Sequence, residues 1–585
     1  SAIAYRRPYY QLPLLNLVRK GFVVFAIDPI GQGERLQYYD PETGESRIGS
    51  STREHSYPAA QVFLTGKSIA RYFTWDGIRA IDYLMTRPEV DPDRIGVHGL
   101  SGGGTQTAYI MAMDDRVAAA APAGYITSYR RLMESDGVQD GEQNFYHGIA
   151  SGLDHGDLLE VRAPKPTLIV ATTRDFFSIQ GVRETYAEAK QVFQVLGRAG
   201  NLLLVEDDHP HGYTRKNREA VYAFFQKHLE LPGSSKEQEV EYLTPEELQK
   251  TETGQLANSL RSKTVYDVNR SETGELLTRL QESRENLNSH IPAVVSAATE
   301  LSGYREPEEV EESEVVFTGR FHREGYTVEK YFLPGEGEYV IPFLLMIPEE
   351  QRKNEAIVYI HPRSKAAEAS PGGQLEWFAQ QGYVVLAPDL VGTGEMGAGT
   401  FRGDAYIGGI SYNQWFNSLL IGRSIVGVQA GDVVKLCRYL ASHANLSFEQ
   451  IYGVARESMA PVLLHAAAFD EIIAKVALLE PYLSYQSIVT NKFYNPDFIY
   501  STVAGALTAY DLPDLTASLA PRSLLLVNMT DQNGRPVRNQ SLVERTYAVA
   551  HRSYKMKNAG DSFHLTRIPP FESYESVLSA WLTQE

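Results

Sequence analysis

Short apolar runs alternate with longer amphipathic stretches through the first 230 residues. Residues 22–27, 95–100, 117–121, 167–171 and 202–205 are brief and rich in Val, Ile, Leu and Ala, as strands covered on both faces require. Between them, residues 10–19, 68–85 and 217–229 carry apolar side chains at helical spacing, with Ile69, Phe73, Ile78, Ile81 and Leu84 forming one stripe. The order predicts a doubly wound parallel α/β sheet whose site lies beyond the carboxyl ends of its strands.

The pattern then repeats. The stretch from Gly21 through Asp28, Gly31 and Gly33 to Glu34 returns as Gly382, Asp389, Gly392, Gly394 and Glu395, 361 residues later. Asp154, Asp157, Ala163 and Pro164 return as Asp511, Asp514, Ala520 and Pro521, 357 residues later. So steady a displacement means two copies of one unit, far longer than a solenoid repeat. Residues 315–333, 338–347 and 356–361 read as extra β-rich segments in front of copy two. Copy one is expected to need counterparts, from a separate N-terminal segment or an oligomer partner. Residues 231–313 read as a helical connector: Thr244-Pro245-Glu246-Glu247 is a helix start, 273–287 and 293–301 are helix-like, and 306–314 is acidic. The expected domains are 1–230, 231–313 and 314–585.

Composition narrows the classes. At 585 residues with 43% hydrophobic side chains the chain exceeds one core, and no apolar run approaches the ~18 residues of a membrane span. A net charge of −18 argues against nucleic acid as a partner. Cys437 is the single cysteine, which excludes an internal disulfide and a thiolate cluster. No HExxH or Cys/His ligand spacing occurs, so no metal is expected. Thr65-Gly66-Lys67-Ser68 ends like a phosphate loop, but Gln61 stands where its first glycine belongs.

The candidate chemistry centres on Gly99-Leu100-Ser101-Gly102-Gly103, which follows the apolar run 95–100 and opens a small-residue helix. Strand, sharp turn and helix are the context of a nucleophile elbow, with Gly99 and Gly103 letting strand and helix approach closely. A serine hydroxyl needs a general base and a group to orient it. Asp175 follows a later strand, and His211 follows the last one, preferred over His209 because Asp208 and His211 match Asp561 and His564 of copy two. The amide of Gly102 is the natural first oxyanion donor, with Ser1 and Ala2 as inferred site neighbours. His55, Trp75, Arg130, Gln143 and Tyr213 are candidates for a substrate rim. Copy two reads Arg456-Glu457-Ser458-Met459-Ala460, so Ser458, Asp531 and His564 form at most a degraded second site, and structural support or a cleft wall is the expected role.

Asp28-Pro29-Ile30-Gly31-Gln32-Gly33-Glu34-Arg35, Trp75-Asp76 with Arg79 and Asp82, Gly99 to Thr107 and His211-Gly212-Tyr213 together resemble bacterial acetyl xylan esterase-like α/β-hydrolases, relatives of the dienelactone hydrolase and prolyl oligopeptidase groups. The resemblance covers copy one throughout and copy two more loosely. It implies an α/β fold class with two tandem α/β-hydrolase-type doubly wound sheets. It also implies hydrolysis of small esters, acetyl or methyl, on a plant or algal polysaccharide or oligosaccharide through an acyl-serine, with no cofactor, in a periplasmic or secreted setting. A pectin or uronate methylesterase, a prolyl oligopeptidase-like peptidase and a non-catalytic carbohydrate-binding tandem are the alternatives.

Overall fold

The computed structural model describes residues 7–49, 51–308, 314–397, 399, 401–443, 446, 448–569 and 572–584; Ser1, Ala2 and part of the acidic stretch 306–314 lie outside them. The first half opens with α1 (Pro8–Arg19), α2 (Ser51–Leu64) and α3 (Ala70–Leu84), followed by β1 (Ile95–Leu100), α4 (Gly102–Met113), β2 (Val117–Ala123), β3 (Thr167–Arg174), α5 (Ile179–Val195), β4 (Leu202–Pro210) and α6 (Arg215–His228). The four strands form one parallel sheet in the order β1-β2-β3-β4. Parallel pairing buries both faces, which is why these strands read as unbroken apolar runs instead of alternating ones.

Residues 22–27 depart from the expected strand. They are extended but belong to no sheet, and Val23 and Phe25 are exposed. Their counterpart in the second half shows the physical reason. There β9 (Val384–Pro388) is clasped between β8 (Glu355–Ile360) and β7 (Val340–Pro348), whereas no strand among the described residues pairs with 22–27. An extended apolar run becomes a strand only when neighbours take up its amides and carbonyls.

The connector contains α7 (Val265–Ser283) and α8 (Leu287–Ser302). Thr244 caps its short helix through a reciprocal bond with Glu247. Arg284, just after α7, donates two hydrogen bonds of 2.7 Å to Asp514, and His290 on α8 reaches the same carboxylate at 2.9 Å. The connector is thereby pinned to copy two.

The second half adds β5 (Val316–Arg323), β6 (Tyr326–Pro334), β10 (Gln450–Arg456), β11 (Ile473–Leu479), β12 (Leu524–Val527) and β13 (Phe563–Thr566) to a nine-stranded sheet, in the order β13-β12-β11-β10-β8-β9-β7-β6-β5. Strands β5 to β7 are antiparallel and the rest of the β8-to-β13 block is parallel. This is the α/β fold expected from the sequence, with a parallel sheet in the first half and a mixed one in the second.

The two halves share one core. Helix α2 is buried at every position from Glu54 to Leu64, so it has no solvent-facing side and lacks the amphipathic spacing of a surface helix. Tyr57 stacks on Tyr494 with ring centroids 4.2 Å apart, its hydroxyl donates to the Tyr494 carbonyl at 2.6 Å, and Gln61 Nε2 donates to the carbonyls of Ile488 and Asn491. Copy two thus covers the helix that carries His55. Among the described residues no helix is long and apolar enough to cross a membrane.

Candidate active site

Ser101 sits between β1 and α4 with φ 58° and ψ −122°, a positive φ that a non-glycine residue holds only where its surroundings impose it. Two constraints do so. The Ser101 amide donates to the Ala123 carbonyl at 2.8 Å, tying the turn to β2, and a Cβ on Gly99 would lie 2.4 Å from the Gly103 carbonyl oxygen. The glycine expectation needs one revision. A Cβ on Gly103 would meet nothing within 4 Å, whereas one on Gly104 would meet the Ala123 carbonyl oxygen at 2.2 Å. Close approach is therefore needed at positions 99 and 104, and Gly103 contributes only its backbone.

His211 follows β4 and turns its ring back to the elbow. Its Nδ1 lies 2.9 Å from each oxygen of Asp175. The Asp175 side chain is 2% exposed and the His211 side chain 26%. Asp175 is itself fixed: it accepts from Thr172 Oγ1 at 2.9 Å and from the Phe177 amide at 3.1 Å. Phe176 packs on the imidazole, centroids 4.5 Å apart. Gly124, directly after the Ala123 that holds Ser101, leaves room for the ring, since a Cβ there would stand 3.2 Å from His211 Cε1. The carboxylate thus fixes a tautomer with Nδ1–H, leaving Nε2 to act as a base on a hydroxyl. His209 is exposed and turned to its neighbouring carbonyl of Pro210, and Asp208 pairs with Arg174 at the surface.

Below the elbow, His98 on β1 donates from Nδ1 to the Ala121 carbonyl (2.6 Å) and accepts from the Tyr213 hydroxyl (2.6 Å). Burial pulls its pKa down to about 4, so it is a neutral strut. Tyr213 is accordingly an internal wall, 5% exposed, instead of a rim side chain.

Ser101, Gly102, His211, Tyr213, His55 and Gln143 line one cleft of about 840 Å³, and Phe401, Gly403 and Asp404 of the second half close one side of it. Gly102 begins α4, so its amide points into this space with no intrahelical partner. Two of the expected rim residues are elsewhere. Arg130 is exposed and paired with Glu134. Trp75, 59% exposed, borders a separate cavity with Arg35, Arg71 and Lys263, because the face of α3 that holds it points away from the cleft.

Sequence reasoning missed Asp140, Glu142 and Asp404. His55 Nδ1 lies 2.7 Å from Asp140 Oδ2 and 2.9 Å from Glu142 Oε2, all deeply buried. Burial alone would lower the His55 pKa, but the two carboxylates facing it raise it well above 6.5. Burial and the neighbouring charge of Glu142 push Asp140 up to about 7, and burial with the charge of Asp140 does the same for Asp404. A His, an Asp and a Glu so disposed are the group of side chains here suited to holding a metal ion.

The second copy does not assemble a matching triad. Register places Glu457, not Ser458, opposite Ser101: β10 ends at Arg456 where β1 ends at Leu100, and Glu457 carries the positive φ of 49°. Ala455 therefore stands at the Gly99 position, one residue before the arginine that sequence matching had aligned with it. His564 lies inside β13, paired with Leu525, and Asp531 accepts from the amides of Asn533 and Arg535 in a turn. Among the described residues no hydrogen bond joins Ser458, Asp531 and His564.

Residues 70–231 match the prolyl oligopeptidase family model. The chain is 27% identical over 227 residues to the putative hydrolase YtaP of Bacillus subtilis (strain 168), covering 38% of this chain and 70% of that protein. Among solved structures, a putative acetyl xylan esterase from Bacteroides fragilis NCTC 9343 is 16% identical with a TM-score of 0.39, covering 50% of this chain and 78% of the other. An acetyl xylan esterase from Paenibacillus sp. R4 is 15% identical with a TM-score of 0.33, covering 49% and 91%. Likenesses this distant carry no argument about substrate. With two α/β sheets, an elbow serine and a family match over the elbow and its partners, the chain is a hydrolase of the α/β-hydrolase type, similar over residues 70–231 to the prolyl oligopeptidase family.

Proposed function

We propose that the chain is a serine carboxylic-ester hydrolase that removes small ester groups, acetyl foremost, from a plant or algal polysaccharide in a periplasmic or secreted setting. The observation that carries this reading is the hydrogen-bonded Asp175–His211 pair, whose imidazole lines the same cleft as the strained elbow that bears Ser101. In this scheme His211 Nε2 takes the Ser101 proton as the oxygen attacks the ester carbonyl, and the Gly102 amide donates to the resulting oxyanion. The imidazolium then protonates the departing sugar alkoxide, leaving an acyl-serine. Water, deprotonated by the same His211, attacks that acyl group and releases the acid.

The cleft lining favours a neutral ester over a uronate methyl ester. Asp136, Asp140, Glu142 and Asp404 border it, and no Lys or Arg does among the described residues. A polyuronate would bring its own carboxylates against these acidic side chains, and the His55 imidazole beside them is already engaged by Asp140 and Glu142. Labelling with a fluorophosphonate and mapping the modified peptide tests the nucleophile, with turnover of acetylated xylan, methylated pectin and p-nitrophenyl acetate compared for the native chain and Ser101→Ala. Label on another residue, or native turnover in Ser101→Ala, would overturn the assignment. Faster release of methanol from pectin than of acetate from xylan would overturn the substrate class alone.

A further inference from the structure

The ester chemistry does not use the second constellation in the cleft. His55, Asp140 and Glu142 come from two separate segments, and their side chains are 3–4% exposed. One ring nitrogen is already committed: His55 Nε2 lies 2.8 Å from the Ile30 carbonyl, which can only accept. Nδ1 then has at most one proton for two carboxylate oxygens. The hydrogen bond goes to Asp140 Oδ2, and Glu142 Oε2 stays buried with no hydrogen-bond partner although it is only 2.9 Å from the same nitrogen. Asp404 brings a further carboxyl group to the cleft from copy two, and no Lys or Arg lies among the described lining residues. Carboxyl groups gathered this closely, with one buried oxygen left unpaired, form a set that a bound cation would satisfy.

We propose that His55 Nδ1, Asp140 Oδ2 and Glu142 Oε2 form a binding site for one divalent first-row metal ion with mixed nitrogen and oxygen preference, such as Zn²⁺ or Mn²⁺. Ligand atoms about 2.1 Å from one ion stand about 3.0 Å apart at right angles and about 3.4 Å apart at the tetrahedral angle, so the observed 2.7 and 2.9 Å require an opening of between a tenth and about 0.7 Å. The supports for the ligands are in place. The Ile30 carbonyl orients the imidazole, and Gln143 Nε2 holds the other Asp140 oxygen, Oδ1, at 3.0 Å. All three residues line the cleft. Glu142 Oε1 stands 3.8 Å from where a Cβ on Gly102 would be, so an ion here would hold a water or a substrate hydroxyl close to the elbow. The ligands lie 85 residues apart along the chain, which is why no local spacing announces them.

The site is tested by binding alone, so its failure is separate from that of the esterase reading. Protein stripped with EDTA is titrated with Zn²⁺ by calorimetry and with Mn²⁺ by electron paramagnetic resonance. One equivalent per chain is expected, with a rise in melting temperature, and Glu142→Gln or Asp140→Asn should weaken binding at least about tenfold. No saturable binding by the native chain up to about 1 mM ion, or equal binding by native chain and folded variants, would overturn the proposal. If the variants do not fold, X-ray absorption of the zinc-loaded native chain decides. One nitrogen and two carboxylate oxygens from the protein support the site, and a shell with no imidazole, or with several, refutes it.

Discussion

Replacing Gly99 with alanine isolates the steric requirement of the elbow from the chemistry of its side chains. The added methyl would lie 2.4 Å from the Gly103 oxygen, 2.5 Å from its carbonyl carbon and 2.7 Å from its Cα. Carbon contacts are comfortable near 3.5 Å, so the helix start must retreat by about 1 Å. All three obstructing atoms are backbone, so no side-chain rotation relieves the clash. A displacement of about 1 Å in a positioned nucleophile costs on the order of 10²-fold in rate, equivalent to about 2.7 kcal/mol of barrier. Gly103→Ala is the internal control. It differs by the same methyl four residues along, and meets nothing within 4 Å; inside a helix, alanine is if anything the more stable residue by about 1 kcal/mol. Initial rates on p-nitrophenyl acetate, with thermal melts of both variants, measure the contrast. Gly99→Ala within about threefold of native activity at an unchanged melting temperature, or Gly103→Ala as damaging as Gly99→Ala, would refute the argument that compression at position 99 holds the serine.

Other perturbations address separate parts of the molecule. Asp175→Asn keeps the side-chain shape but frees His211 to adopt the wrong tautomer, and kcat should fall by about 10³–10⁴-fold with little change in melting temperature; a loss under tenfold would remove Asp175 from the triad. Asp514→Ala leaves Arg284 and the 1%-exposed His290 without their shared carboxylate, and should cost on the order of 3–5 kcal/mol in denaturant unfolding. Asp432 is pushed up to about 7 by burial, against the opposing bond from the Tyr339 hydroxyl. Its folded-state pKa is raised, so its contribution is present below the unfolded value and lost as pH rises through about 7. Asp432→Asn should therefore flatten the melting temperature against pH between about 4 and 7, where the native chain loses up to about 1.4 kcal/mol per pH unit from this group. Parallel slopes in the two proteins would count against it.

The strands and the triad candidates were legible because each rests on a local rule. Parallel strands must be apolar throughout, an elbow must have small residues around its serine, and an orienting acid and a base must follow later strands. What escaped was set by contacts distant in sequence. Helix α2 is covered by copy two on one side and by its own half and α7 on the others, so it lacks the periodicity that marks a surface helix. Asp140 and Glu142 sit in a loop and become a site only when His55 is brought to them. Trp75 and Arg130 are plausible as aromatic and cationic rim chemistry, yet direction on a helix decides what a side chain reaches. In copy two, matching sequence to sequence aligned Ser458 with Ser101, and pairing of the strands moved the correspondence by one residue to Glu457. His564 was displaced further, into the body of β13.

The common core between the halves bears on how such a duplication ages. Copy two carries Glu457 where the first half has Ser101, but its Tyr494 and the carbonyls of Ile488 and Asn491 are held in place by the helix they shelter in the other half. Drift in copy two is thus fenced by geometry: substitutions at its elbow leave the shared core alone, whereas those on its inner surface disturb both halves.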